Sequence, residues 1–172
     1  VKKGGTSIFP YCQENISKMV TVEDDRLIGA ILDMVENHKM IVENSGLLPV
    51  AALDQLDLAG KKAVLVLSGG NMDVITMSSV VQHGLIQQDR IFTVSVLLPD
   101  KAGELVKVAQ TIAGAGGNVI KLEHNQFVSI NRNASVELRI TMESYGTEHK
   151  NKILDALEKD GYKPKVVDTK LY

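Results

Sequence analysis

The chain has 172 residues, 44% of them hydrophobic, with 19 basic and 21 acidic side chains for a formal net charge of −2. That length and apolar content suit one ordinary domain or two small ones and exclude a disordered chain. The balanced charge and the lack of Trp exclude a general pull toward nucleic acid or anionic membrane, and a base-stacking platform with it. Cys12 is the only cysteine, so no intrachain disulfide forms, and a reducing, cytoplasmic compartment is the expectation. No apolar run reaches the ~18 residues of a membrane span. The chain opens on Val1 rather than Met, so a fragment of something longer is expected.

Residues 1–22 read as irregular, with Lys2 and Lys3 in a loop and a short strand around "KMVTV". In "EDDRLIGAILDMVENHK", Leu27, Ile28, Ile31, Leu32 and Val35 recur at helical spacing. Glu23, Asp24 and Asp25 fall in the first turn, where the helix dipole favours anions. "SGLLPVAALDQLD" predicts a small helix with Pro49 in its first turn or at a kink. "KKAVLVL" (61–67) is continuous and apolar, the pattern of a strand covered on both faces in a parallel α/β sheet. Asp73 to Gln82 predicts a helix that Gly84 ends.

From Ile91 the pattern changes. "IFTVSVLL" alternates, with Phe92, Val94, Val96 and Leu98 on one face and Thr93 and Ser95 on the other. After the turn "PDKAG" comes a helix with Leu105, Val108, Ala109, Ile112 and Ala113 along one side, broken by "AGAGGN". "VIKLEH" alternates with Ile120 and Leu122 inward, "NQFVSINRNA" reads as loop, and "SVELRITME" alternates most clearly. "GTEHKNKILDALEKDG" predicts a helix with Thr147 as N-cap and Gly161 just past its end. "YKPKVVDT" holds a last short strand. The order β-α-β-β-α-β is the ferredoxin-like split pattern. Two pieces are therefore expected, 1–90 and 91–172: a partial parallel-sheet α/β segment followed by an α+β domain.

The stretch "LVLSGGNMD" (65–73) carries the chemistry of the first piece. A strand ending in Ser-Gly-Gly sets a hydroxyl and bare backbone at the carboxyl edge of a sheet, where open α/β sheets bind ligands. Ser68 can donate to a neutral ring nitrogen or accept from a protonated one. The plainer reading is a tight turn in which Ser68 or Asn71 caps the next helix. The glycine spacing fits neither a Walker loop nor a dinucleotide fingerprint.

"VLSGGNMD" resembles the "LSGGN" signature of the threonine deaminase and serine racemase family, which depends on pyridoxal phosphate and has the fold-type-II architecture. The upstream segment is similar too, in the order of a "VKxPG" start, an "IVTV" strand and a "VEGAG" turn. Here "VENSG" (42–46) stands for that turn, with Glu43 matching and Asn44 and Ser45 departing. The resemblance implies a cofactor-binding set of Ser68, Gly69, Gly70, Asn71 and Glu43, with Ser68 facing the pyridine nitrogen. A neutral hydroxyl there moderates the electron sink and favours β-elimination over transaminase-type chemistry. The family's Schiff-base lysine segment and phosphate-binding glycine loop match nothing in this sequence. The fragment is therefore expected to hold no catalytic residue, to bind no pyridoxal phosphate by itself and to be inactive alone.

"LPDKAGELVKVAQTIAGAGGNVIKLEHNQ" resembles the ACT domain, a regulatory module of amino-acid-metabolising enzymes, and the likeness spans nearly all of 91–172. Asp100, Gly103, Glu104 and Leu105 match its first turn, Asn118, Val119 and Ile120 the start of its second strand, and His124 that strand's far end. Ala102 stands where proline is common, and "HNQ" replaces "HDR". The resemblance implies an amino-acid effector, isoleucine or valine, held by those eight residues between paired modules, hence a homo-oligomer. A glycine opening the helix would let a carboxylate reach free N–H groups, and Asn118 offers both donor and acceptor. The plainer reading gives Gly103 and Gly117 to turns and Asn118 to a helix end. The four histidines show no ligand spacing, so no metal is expected. Neither nucleic acid nor membrane is expected as a partner. The leading expectation is the C-terminal part of a threonine deaminase with one ACT module. A stand-alone amino-acid-binding module and a phosphate- or nucleotide-binding α/β protein remain the alternatives.

Overall fold

Alternating strands that find neighbours build the sheet of the second half. In the computed structural model, which describes residues 5–125 and 135–170, β1 (Ile91–Pro99) pairs antiparallel with β3 (Ser135–Glu143) from Ile91 opposite Glu143 to Pro99 opposite Ser135. β3 pairs in turn with β2 (Asn118–Asn125), and β1 with β4 (Lys165–Val167), for the order β2-β3-β1-β4. α5 (Glu104–Gly114) and α6 (Thr147–Lys159) supply the other layer. Phe92, Val94, Val96 and Leu98 of β1 and Val136, Leu138, Ile140 and Met142 of β3 form the core with Val108, Ile112, Ile153 and Leu157 of the helices. This is the expected β-α-β-β-α-β arrangement, and the chain as a whole is a mixture of α and β structure.

Several details of this unit depart from sequence expectation. Leu105, Ala109 and Ala113 are exposed, and only Val108 and Ile112 of α5 are buried, because the sheet covers a narrower stripe than the apolar periodicity offers. A bulge between Val119 and Lys121 adds a residue to β2, so Val119 as well as Leu122 stands opposite a core-facing residue of β3. Gly146, not Thr147, is the N-cap of α6. The Thr147 hydroxyl instead donates to Asp89 Oδ2 at 2.8 Å. Gly161, with φ +88°, follows the helix as expected. Gly117 proves to be a packing requirement, since a Cβ there would lie 2.8 Å from Ile112 Cγ2.

The chain divides into two compact units, Val1–Val81 and Gln82–Tyr172, the division falling inside α4 (Val74–Gln87). In the first unit, α1 (Phe9–Asn15) was not foreseen; it buries none of its residues, so no apolar periodicity announces it. The sequence run from Glu23 folds as α2 (Asp24–Asp33), then a π-helical turn Met34–His38 that ends on left-handed Lys39. A 3₁₀ turn (Asn44–Leu47) leads into the short α3 (Leu48–Ala51), with Pro49 in its first turn. Ala30, Ile31, Met34, Val42, Leu47 and Ala51 make the core, joined by Leu67, Met72 and Val80.

No strand forms in this unit among the described residues. "KMVTV" pairs with nothing in a ladder, and neither does 61–67. The latter run was expected to be covered on both faces. Instead Leu65 and Leu67 turn partly inward while Val64 and Val66 are 91% and 73% exposed. Period-two geometry is present, but a ladder needs a neighbouring strand. α4 also runs through Gly84, which is buried in its interior, and the chain turns only at Asp89 (φ +56°). Among the described residues no helix is long and apolar enough to cross a membrane. Lys2, Lys3 and the loop "QFVSINRNA" lie outside the described residues.

Candidate functional site

The first unit brings its two motifs together. The Glu43 backbone N–H donates to the Gly69 carbonyl at 3.3 Å, and the Gly46 N–H donates to the Glu43 carbonyl at 2.9 Å. A Cβ on Gly46 would lie 1.6 Å from the Ser68 carbonyl oxygen, and one on Gly69 (φ +79°) would lie 2.3 Å from Glu43 Oε1. Gly46 is therefore demanded by close approach to the Ser68 backbone, and Gly69 by its left-handed conformation as well as by the Glu43 side chain. Ser45 Oγ donates to Glu43 Oε1 at 2.8 Å, which fixes that carboxylate over Gly69.

Leu67 and Met72 anchor the Ser68–Asn71 turn in the core from either side, while Ser68, Gly69, Gly70 and Asn71 are exposed. Neither Ser68 nor Asn71 caps the following helix. Asp73 does so: its Oδ1 accepts from the Thr76 N–H at 2.8 Å and its Oδ2 from the Thr76 hydroxyl at 2.5 Å. Those bonds to Thr76 hold the Asp73 carboxyl below its ordinary pKa. The exposed Ser68 is thus left to the lip of the turn, next to Gly69, over which the Glu43 side chain lies.

The second unit gathers five of its eight expected residues. Asp100, Gly103, Glu104 and Leu105 share a cavity of about 230 Å³ with His124, which β2 brings from across the sheet. Leu98, the last inward residue of β1, and Val136 and Leu138, the first inward residues of β3, form its floor. Sequence reading placed these three in the core and not in the site, although their position at the strand ends, level with the 99–104 turn, was the available signal. Gly103 adopts φ +93° with open space around its missing Cβ, so here backbone conformation alone calls for glycine. The Glu104 carboxylate accepts from Lys107 Nζ at 2.7 Å, an i,i+3 pair that draws the acid along the helix.

Asn118, Val119 and Ile120 do not line this cavity. They sit toward the other end of β2, about 13–20 Å along the strand from His124. There Asn118 Nδ2 donates to Glu143 Oε2 at 2.7 Å. Val119, Ile120 and Leu122 remain 37–42% exposed on this outermost strand, as do Leu105 and Val106 of α5 at 44% and 56%.

No family model matches the chain. Among curated proteins it is similar to the L-threonine ammonia-lyase of Geobacter sulfurreducens, 36% identical over 165 residues, a match covering 94% of this chain and 41% of that protein. The L-threonine ammonia-lyase of Thermotoga maritima is 30% identical over 168 residues, covering 97% and 42%. The biosynthetic L-threonine dehydratase of Escherichia coli K12 is 27% identical over 166 residues, covering 94% and 31%. The chain thus spans about two fifths of the length of the first two relatives.

Proposed function

We propose, from the chain's correspondence to the C-terminal part of threonine deaminases, that it combines one wall of a pyridoxal phosphate site with an amino-acid sensor. The whole protein would convert threonine to 2-oxobutanoate and ammonia. When bound, pyridoxal phosphate supplies the electron sink for that β-elimination. The residues present fit one side of the group: Ser68 offers an exposed hydroxyl to a ring nitrogen, and Gly46 and Gly69 let the two turns close behind it. Ser68 orients the ring; Gly69, Gly70 and Asn71 shape the lip; Glu43, held by Ser45, braces the turn. Nothing in this set supplies an amine, so the chain alone is expected to be inactive.

In the second unit the effector is a branched apolar amino acid, isoleucine or valine. Its carboxylate approaches the N-terminus of α5 at Gly103, His124 bounds the far side, and the side chain rests on Leu98, Val136 and Leu138. The observation that carries this reading is the convergence of Asp100, Gly103, Glu104, Leu105 and His124 on one apolar-floored cavity. Asn118, Val119 and Ile120 act at the edge where a second module pairs. A tenfold change in activity needs only about 1.4 kcal/mol of preference of the effector for one state.

Calorimetric titration of the chain with isoleucine, valine and threonine tests the assignment. Isoleucine or valine should bind saturably, threonine at least tenfold more weakly, and His124→Ala should weaken the preferred ligand. Heat independent of ligand identity, or unaltered in His124→Ala, would remove the sensor from this cavity.

A further inference from the structure

The face of the sheet turned away from α5 and α6 carries a second cavity, of about 270 Å³. Its floor is a row across the strands. Lys121 stands opposite Thr141, Thr141 opposite Thr93, and Thr93 opposite Val167. The next row places Glu123 opposite Arg139. On an uncovered sheet face such threonines would be solvated, yet Thr93 and Thr141 are only 5% and 3% exposed. The chain beyond β4 covers them. β4 and β2 are opposite edges of the sheet, and Lys121 Nζ on β2 donates to the Lys170 carbonyl at 3.4 Å. Residues 168–170 therefore reach from one edge toward the other as a strap, and Asp168 and Lys170 join the lining.

The chemistry of the lining is mixed and polar. Thr93 Oγ1 and Thr141 Oγ1 lie 2.9 Å apart, so one donates to the other. Two hydroxyls carry two protons, and that bond uses one; the other is left to an acceptor in the cavity. Lys121 pairs with Glu123 at 2.9 Å. Arg139 engages Glu137 through Nε at 3.2 Å, and Glu137 also accepts from Ser95 Oγ at 2.6 Å. Cations and anions thus alternate within reach of a single small molecule. An anion alone would meet Glu123 and Asp168, and a cation alone would meet Arg139 and Lys170. A molecule carrying a carboxylate and an ammonium on the same carbon satisfies the two sets together.

We infer that this strapped cavity is a second ligand site, taking a small polar zwitterion: a carboxylate toward Arg139 and the threonine hydroxyls, an ammonium toward Asp168. The volume is just below the usual range of about 300–1,000 Å³ for ligand pockets, which suits a molecule the size of serine or threonine. The hydroxyl floor contrasts with the leucine and valine floor of the 98–105 cavity, so the two cavities select polar and apolar side chains respectively. The inference does not rest on the sensor reading, because it involves none of that cavity's residues.

The test is titration of the ¹⁵N-labelled chain with L-serine, with L-lactate as the carboxylate lacking ammonium and ethanolamine as the ammonium lacking carboxylate. Saturable shifts are expected at Thr93, Lys121, Arg139 and Thr141 with serine, at least tenfold weaker with either control. Asp168→Asn and Arg139→Gln should each weaken serine at least tenfold, while His124→Ala leaves it unchanged. Because Arg139 supports the buried Glu137, Asp168→Asn in the strap decides the matter if Arg139→Gln loses its dispersed spectrum. Absence of saturable shifts, equal response to lactate or ethanolamine, or full binding by Asp168→Asn would overturn the proposal. Loss of serine binding in His124→Ala would assign it to the other cavity and overturn it equally.

Discussion

Asp89 holds more of the second unit together than its place in a turn suggests. Its carboxylate accepts from Lys150 Nζ at 2.6 Å and from the Thr147 hydroxyl at 2.8 Å, and its carbonyl accepts from Ser144 Oγ. The turn before β1 is thereby pinned to the end of β3 and the first turns of α6. The bond from Lys150 lowers the Asp89 pKa most, burial opposes it, and the bond from Thr147 and the charge of Lys150 add to the lowering, so the net shift is downward. A carboxyl whose folded pKa lies below its unfolded value, about 3.9, stabilises the fold above that value and loses the contribution as pH falls through the folded pKa. Asp89→Asn should therefore cost about 1.5–3 kcal/mol at pH 7, the scale of hydrogen bonds to a charged group. The gap to the parent chain should close as pH falls below about 4. Urea denaturation at pH 7, 5 and 3 measures it, and a gap constant with pH would assign the loss to geometry rather than charge. Gly46 and Gly69 make a different point at this scale. "SGG" announced a need for glycine in one turn, but nothing local announced that Gly46, more than twenty residues earlier, faces the Ser68 carbonyl.

Elements were legible where they complete themselves within a short stretch. β3 keeps alternation over nine residues, and Val136, Leu138, Ile140 and Met142 are its share of the core, although Glu137 and Thr141 on the other face are buried too. The run 61–67 has an equally strong apolar pattern and forms no ladder, because pairing belongs to a neighbour and not to the strand. The cap of α4 fell to Asp73 rather than Ser68 or Asn71, since its Thr76 partner lies three residues on, the spacing of a helix N-terminus. The candidate site was legible at the 100–105 turn and at His124, but the grouping of Asn118, Val119 and Ile120 with them was not, as they stand at the other end of β2. Val119, Ile120 and Leu122 leave apolar side chains exposed along β2, an edge strand among the described residues, and Leu105 and Val106 leave others on α5. Such an edge invites pairing with a like strand. Sedimentation at micromolar concentration should show a dimer, and Leu122→Lys should shift it to monomer with the fold retained by circular dichroism. A monomeric parent chain would contradict the pairing.

At the scale of the whole chain, the two units differ in what holds them. The second buries leucines, isoleucines and valines of two helices against a four-stranded ladder, with Val94, Val96, Leu138, Ile153 and Leu157 wholly excluded from solvent. The first gathers a small core, two of whose six members are alanines, has no ladder among its described residues, and leaves Met19, Val64, Val66, Val74 and Ile75 more than 70% exposed. Apolar area removed from water contributes roughly 25 cal/mol per Å², so side chains left in solvent contribute little to the first unit. Local stability follows such differences in burial and hydrogen bonding. Urea should therefore unfold the chain in two steps. Amide signals of α2 and the 42–47 turn should vanish first, while those of β1 and β3 persist to higher denaturant. Limited proteolysis should cut first within residues 61–66, where exposed backbone without a ladder offers the easiest access. A single transition shared by both sets of amides, or first cleavage within the sheet, would show that the first unit draws its stability from the second.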